Sequence, residues 1–128
     1  MDPVKCKVNL TFEIDERVIA DLLSTALEGG MGYWAAISGY KKPEKPRAVA
    51  LPPEIFKYID YALTGGAVYI EDCDGGKHTL DEAAIQRGLW ALAEKFPERL
   101  RRIVDGDGDA EDGDVFLQLA LLGEVVYG

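Results

Sequence analysis

Val115, Phe116, Leu117, Leu119, Ala120, Leu121 and Leu122 leave Gln118 as the one polar residue in eight consecutive positions. A helix over that run has no hydrophilic face to offer water, so it is buried on every side. The rest of a 128-residue chain must wrap around it. A chain of that length builds one core and buries about two thirds of its unfolded surface, so a single domain is expected over residues 1–128. Gln118 is the exception inside the apolar run. A buried amide is costly unless paired, and it is expected to hydrogen-bond to backbone or to another side chain in the core.

The elements that wrap this helix follow from periodicity. Val4, Cys6, Val8, Leu10, Phe12 and Ile14 alternate with polar residues up to Asp15, the period of a half-buried strand. Asp15 then stands where an N-cap belongs, and Val18, Ile19, Leu22, Leu23, Ala26 and Leu27 recur on one helical face. Gly29 and Gly30 are expected to end that helix, one of them as a left-handed C-cap. After Tyr33 and Trp34 a brief strand or helical turn is expected, and Gly39–Pro46, with two prolines and four charges, reads as an exposed loop. Pro52 and Pro53 open a second helix with Ile55, Phe56, Ile59, Ala62 and Leu63 inward, stopped by Gly65 or Gly66.

Ala67–Cys73 and the return through Lys77 and His78 predict a hairpin around Asp74-Gly75-Gly76. Thr79 and Glu82 have the spacing of a capping box for a third helix with Ile85, Leu89, Leu92 and Phe96 on one face. Gly88 lies in its middle, where it costs roughly 1 kcal/mol against alanine, so it marks either a close helix crossing or tolerance. Pro97 restarts the backbone into a short helix, Glu98–Val104, with Leu100 and Ile103 inward and the arginines mostly outward. This order predicts an α+β domain in which a small, mainly antiparallel sheet packs with three to five helices.

The net charge of −9 is unevenly placed: residues 1–64 carry nine acids against eight bases, and residues 65–128 carry fourteen against six. An acidic half argues against general affinity for phosphate backbones or anionic lipid and favours a basic protein partner. No apolar run approaches the roughly 20 residues that span a bilayer, and the start M-D-P-V-K-C-K has no signal-peptide pattern. A cytoplasmic protein is expected.

Most of the surplus lies in Asp105–Asp114, six acids in ten residues. Asp105, Asp107 and Asp109 have the spacing of the first three ligands of a calcium loop, but Ala110 stands at the sixth position and Phe116 at the twelfth, where glycine and a bidentate glutamate are needed. The reading that remains is a solvated turn whose last acids, Asp112 and Asp114, cap the final helix, with Asp105, Asp107, Asp109 and Glu111 in excess. No metal or cofactor is expected. Cys6 and Cys73 read as buried free thiols, and with one histidine, His78, they lack the paired spacing of a zinc site.

Tyr33, Trp34 and Tyr40 near Lys41, Lys42, Lys45 and Arg47 form the one pattern of aromatics interleaved with cations, the chemistry that stacks a base and meets a phosphate. Catalysis finds less support. Ser24, Ser38 and the cysteines have only His78 to serve as base, and the G-G-M-G at Gly29 follows a helix instead of opening one, so no phosphate loop is present. A non-enzymatic role is expected.

The segment A-L-E-G-G-M-G-Y-W, Ala26–Trp34, and the ending D-A-E-D-G-D-V-F-L-Q-L-A-L-L-G-E-V-V-Y-G, Asp109–Gly128, resemble a family of small proteins encoded by bacteriophages and prophages. The helix start at Thr79-Leu80-Asp81 is also similar, and Leu122-Gly123 departs from the Phe-Gly of that pattern. The matched segments cover about a quarter of the chain. The resemblance carries no catalytic residues and implies an accessory role of a mobile element.

Together these features predict a phage-type accessory protein that binds a macromolecule in the host cytoplasm. Its acidic half would meet a basic host protein or protein–nucleic acid complex, in the concrete case a defence nuclease complex inhibited in the manner of an anti-CRISPR protein. The alternatives are a nucleotide-sequestering protein that uses Tyr33, Trp34, Tyr40 and the basic loop, and a phage structural or assembly accessory.

Overall fold

The structure, a computed structural model, describes residues 6, 11, 13–45 and 55–128. Among them run α1 (Glu16–Thr25), continued by a π-helical turn (Ala26–Gly30), then β1 (Ala35–Lys41), α2 (Ile55–Leu63), β2 (Ala67–Asp72), β3 (Lys77–Leu80), α3 (Glu82–Lys95), α4 (Pro97–Val104) and α5 (Ala110–Leu122). The strands form one antiparallel sheet in the order β1-β2-β3. This is the α+β architecture expected. No helix of the described residues is long and apolar enough to cross a membrane.

α5 is the post of the fold. Residues Asp112 to Ala120 are all buried, and the helix packs against α3, α1, the π-helical turn and β3. Phe116 and Leu117 are fully enclosed, in one apolar cluster with Leu23 of α1, Ile70 of β2, Leu80 of β3 and Leu92 of α3. Three glycines permit the close crossings. A Cβ on Gly88 of α3 would come within 2.8 Å of the Ala120 Cβ and 2.9 Å of the Phe116 ring, so of the two readings of this residue the close crossing holds. A Cβ on Gly113 would meet Ala26 N at 2.9 Å, and one on Gly30 would meet Ala110 O at 2.8 Å.

Gly30 therefore corrects the sequence reading. Neither Gly29 nor Gly30 has positive φ, and the chain passes from α1 into a wider π-helical turn instead of stopping at a left-handed cap. Backbone proximity to α5 is what excludes a side chain at Gly30. Other boundaries also move. β1 extends through Gly39, Tyr40 and Lys41, inside the expected loop, because β2 satisfies its backbone groups. Thr79 pairs with Tyr69 in the sheet, so the N-cap of α3 is Asp81, whose carboxylate accepts from Ala84 N at 2.9 Å. Both cysteines are exposed and free, Cys73 lying in the turn after β2. The expected first strand falls largely outside the described residues, as do Arg47, Pro52 and Pro53; Cys6, Thr11, Glu13, Ile14 and Asp15 lie in no strand.

Candidate functional site

The acidic segment joins α4 to α5 and divides its carboxylates among different tasks. Asp109, not Asp112 or Asp114, is the N-cap of α5. Its carboxylate accepts from Asp112 N at 2.9 Å while the Asp112 carboxylate accepts from Asp109 N at 3.2 Å, a reciprocal capping box. Asp112 is wholly enclosed and also accepts from Arg99 Nη1 at 2.8 Å and Arg102 Nη2 at 2.7 Å. Burial works to raise this carboxyl, but the hydrogen bonds from Arg102 and Arg99 outweigh it and hold the group below the usual carboxylate range. Arg99 also donates to the exposed Glu111 at 3.0 Å. The two arginines, expected to point mostly outward, are thus turned toward α5.

Asp105 and Asp107 remain. Both are exposed, in a turn made by Gly106 at φ +86°, and neither side chain has a partner among the described residues. Asp21 and Thr25 of α1 line a small cleft with Gly106, Gly108 and Asp109 of this turn. Asp21 therefore lies beside Asp109 and the turn that carries Asp105 and Asp107. Its position was not readable from the sequence, because the packing of α1 on α4 and the turn after it creates it.

Asp114 faces inward. Only 8% exposed, it accepts from Trp34 Nε1 at 2.7 Å, Tyr33 OH at 2.5 Å and Gln118 Nε2 at 3.1 Å. Partial burial of the Tyr33 hydroxyl and its bond to this carboxylate push it up to about 12. Gln118 meets the obligation expected of a buried amide. Its Nε2 donates to Tyr127 O at 3.1 Å, and its Oε1 accepts from Val126 N and Tyr127 N, both at 2.8 Å. The Tyr127 ring stacks on Trp34 with centroids 5.1 Å apart, and its hydroxyl donates to Asp74 Oδ2 at 2.8 Å. That bond, before burial, raises the phenol above its ordinary value.

The aromatic and basic residues singled out in the sequence are distributed instead of gathered. Trp34 is in the core and Tyr33 lies against Asp114, with its ring exposed. Tyr40 goes elsewhere because the β1–β2 register shifts between Ile37 and Gly39, which sets it opposite buried Val68. There it meets Tyr58 and Tyr61 of α2 at 5.8 and 5.5 Å, with Lys57 Nζ 4.7 Å from its centroid. Lys41, Lys42 and Lys45 are exposed on the strand end and the residues after it.

His78 is held across the hairpin, its Nε2 2.8 Å from Asp72 Oδ2. That bond and those from the Gly76 and Asp74 amides keep Asp72 below the ordinary carboxylate range. Asp72 also shapes the turn, accepting from Asp74 N at 2.8 Å and Gly76 N at 2.9 Å. Among the described residues no group of three or more His, Cys, Asp or Glu side chains is arranged to hold a metal ion.

No protein-family model, curated protein or solved structure matches the chain, so the phage-family resemblance stands on its two sequence segments alone.

Proposed function

We propose that this chain is a non-enzymatic accessory protein of phage type that binds a basic macromolecular partner through an acidic edge made of Asp21, Asp105 and Asp107. The observation that carries the reading is the separation of surplus from structural charge. Asp112 and Asp114 are enclosed and fully bonded and Glu111 faces Arg99, whereas Asp105 and Asp107 are exposed without side-chain partners among the described residues. Carboxylates that neither cap nor pair are available to a cationic surface, where they accelerate encounter and fix orientation more than they add affinity. The concrete partner class is a host defence nuclease complex, whose nucleic-acid-binding cations would accept an acidic protein edge in place of phosphate.

The test is association with purified defence nuclease complexes, followed by rate at low and at physiological ionic strength. Replacing Asp21, Asp105 and Asp107 together by asparagine should slow association by about tenfold or more without lowering the urea midpoint, because none of the three side chains caps a helix or forms an ion pair among the described residues, and the C-cap role of Asp105 is played by its backbone. An association rate indifferent to both salt and these substitutions rejects the acidic edge as the contact surface. A nucleotide panel in a melting assay addresses the sequestering alternative, since a ligand at 100 times its dissociation constant adds about 2.7 kcal/mol.

A further inference from the structure

Residues 124–128 are attached to the body in an unusual manner. Gly123, at φ +80°, closes α5 and turns the chain back, and Glu124, Val125 and Val126 lie exposed. The attachment is concentrated on Tyr127. Gln118 accepts from its N–H and donates to its C=O, so one buried carboxamide makes the two-point contact that a neighbouring strand makes with an extended residue. The ring lies on Trp34 and the phenol donates to Asp74. The Tyr33 hydroxyl, whose one proton goes to Asp114, lies 3.2 Å from Tyr127 O.

We propose that this slot is a peptide-recognition site, filled in cis by residues 124–128 and open in trans to an extended peptide carrying a tyrosine. Its polar floor defines the ligand. Gln118 is fully buried and Asp114 nearly so, and departure of the cis segment removes three hydrogen bonds from the Gln118 amide. A buried polar group left unpaired is strongly disfavoured, so the incoming ligand must supply an N–H and a C=O on one edge, as an extended peptide backbone does. Trp34 selects a flat ring beside that edge, and Asp74 selects a hydroxyl at its far end. The proposal is independent of the acidic edge.

The test uses the full chain with Tyr127→Ala, which empties the ring slot, and a fluorescent peptide of sequence E-V-V-Y-G followed by anisotropy. The variant should bind the peptide at least tenfold more tightly than the unaltered chain, in which the tethered segment competes at an effective concentration of about millimolar. Phenylalanine in the peptide should weaken binding about three- to tenfold through loss of the Asp74 bond, and alanine should abolish it. A folded variant that does not bind the peptide overturns the proposal. A second measurement needs no variant. In the unaltered chain the Val126 and Tyr127 amides should exchange by local opening, much faster than the Phe116 and Leu117 amides, and excess peptide should accelerate them. Exchange at the rate of the α5 core, unmoved by peptide, would mean that the segment never leaves the slot and would equally overturn it.

Discussion

The ion cluster around Asp112 predicts an asymmetry between removing its anion and removing its cations. The Asp112 side chain is 0% exposed, whereas those of Arg99 and Arg102 retain 23% and 48%. In Asp112→Ala the two guanidinium bonds and the Asp109 N–H bond are lost. Each bond to a charged group contributes about 1.5–3 kcal/mol, but both guanidiniums already reach water and rehydrate, which discounts the loss. The net destabilisation should be about 3 kcal/mol. The double variant Arg99→Met, Arg102→Met keeps most of the apolar packing and leaves the enclosed carboxylate with the Asp109 N–H alone. Breaking a buried pair from this side costs about 3–5 kcal/mol, because the remaining charge cannot reach solvent.

Urea unfolding at neutral pH should therefore place the double arginine variant below Asp112→Ala, by up to about 1 M for a slope near 2 kcal/mol/M. The pH dependence has a definite sign. In the native protein Asp112 is held below its ordinary value, so its contribution is complete above about 4 and is lost as the pH falls below that. Without the guanidiniums burial, the largest influence, is opposed by the Asp109 N–H alone, the folded value rises above the unfolded one, and the deficit should shrink as the pH is lowered. If the double arginine variant equals or exceeds Asp112→Ala in stability, or if its deficit is the same at pH values of about 7 and 4, burial of Asp112 is not what distinguishes the two partners.

Three further outcomes follow from the contacts. Gly113→Ala should be more damaging than Gly88→Ala, because its Cβ meets backbone at Ala26 and Thr25 whereas Gly88 faces the Ala120 Cβ and the tip of the Phe116 ring; overpacking of about 1–3 kcal/mol should exceed the helix-propensity gain of about 1 kcal/mol, and calorimetry reads the order. Trp34→Phe keeps a ring for Tyr127 but removes the donor to Asp114, and should lower stability by about 1–3 kcal/mol in urea titration. In alkali, the contribution of the Tyr33–Asp114 bond should be intact below pH 10 and decline as the pH climbs from 10 to about 12, because the unfolded phenol ionises first; circular dichroism of Tyr33→Phe should show that decline reduced.

Local patterning made the helical scaffold readable. The eight-residue apolar run, the stripe from Val18 to Leu27 and the Ile85–Leu89–Leu92 face each state which side of a helix avoids water, and burial follows the same stripes. The Ala67–Leu80 hairpin is local too, since its strands and turn are contiguous. Gln118 could be assigned a buried hydrogen-bonding role before its partners were visible, because an amide in an apolar helix has to be paired.

What periodicity does not contain is the identity of neighbours brought together from distant positions. Gly30 ends the helical segment as its sequence suggests, but as a crossing point and not as a left-handed cap, since the atoms that forbid its side chain belong to Ala110 and Asp114. Asp112 and Asp114 read as end caps, but Arg99 and Arg102 enclose the one and Tyr33, Trp34 and Gln118 the other. A one-residue slip in the β1 register sends Tyr40 to α2 and away from Tyr33, dissolving a cluster that existed only along the chain. Periodicity is enough to say which residues leave water. What each buried polar group meets, and so which acids stay available, depends on how the elements pack, because hydrogen bonds and close backbone contacts are pairwise and directional whereas hydrophobic burial is neither.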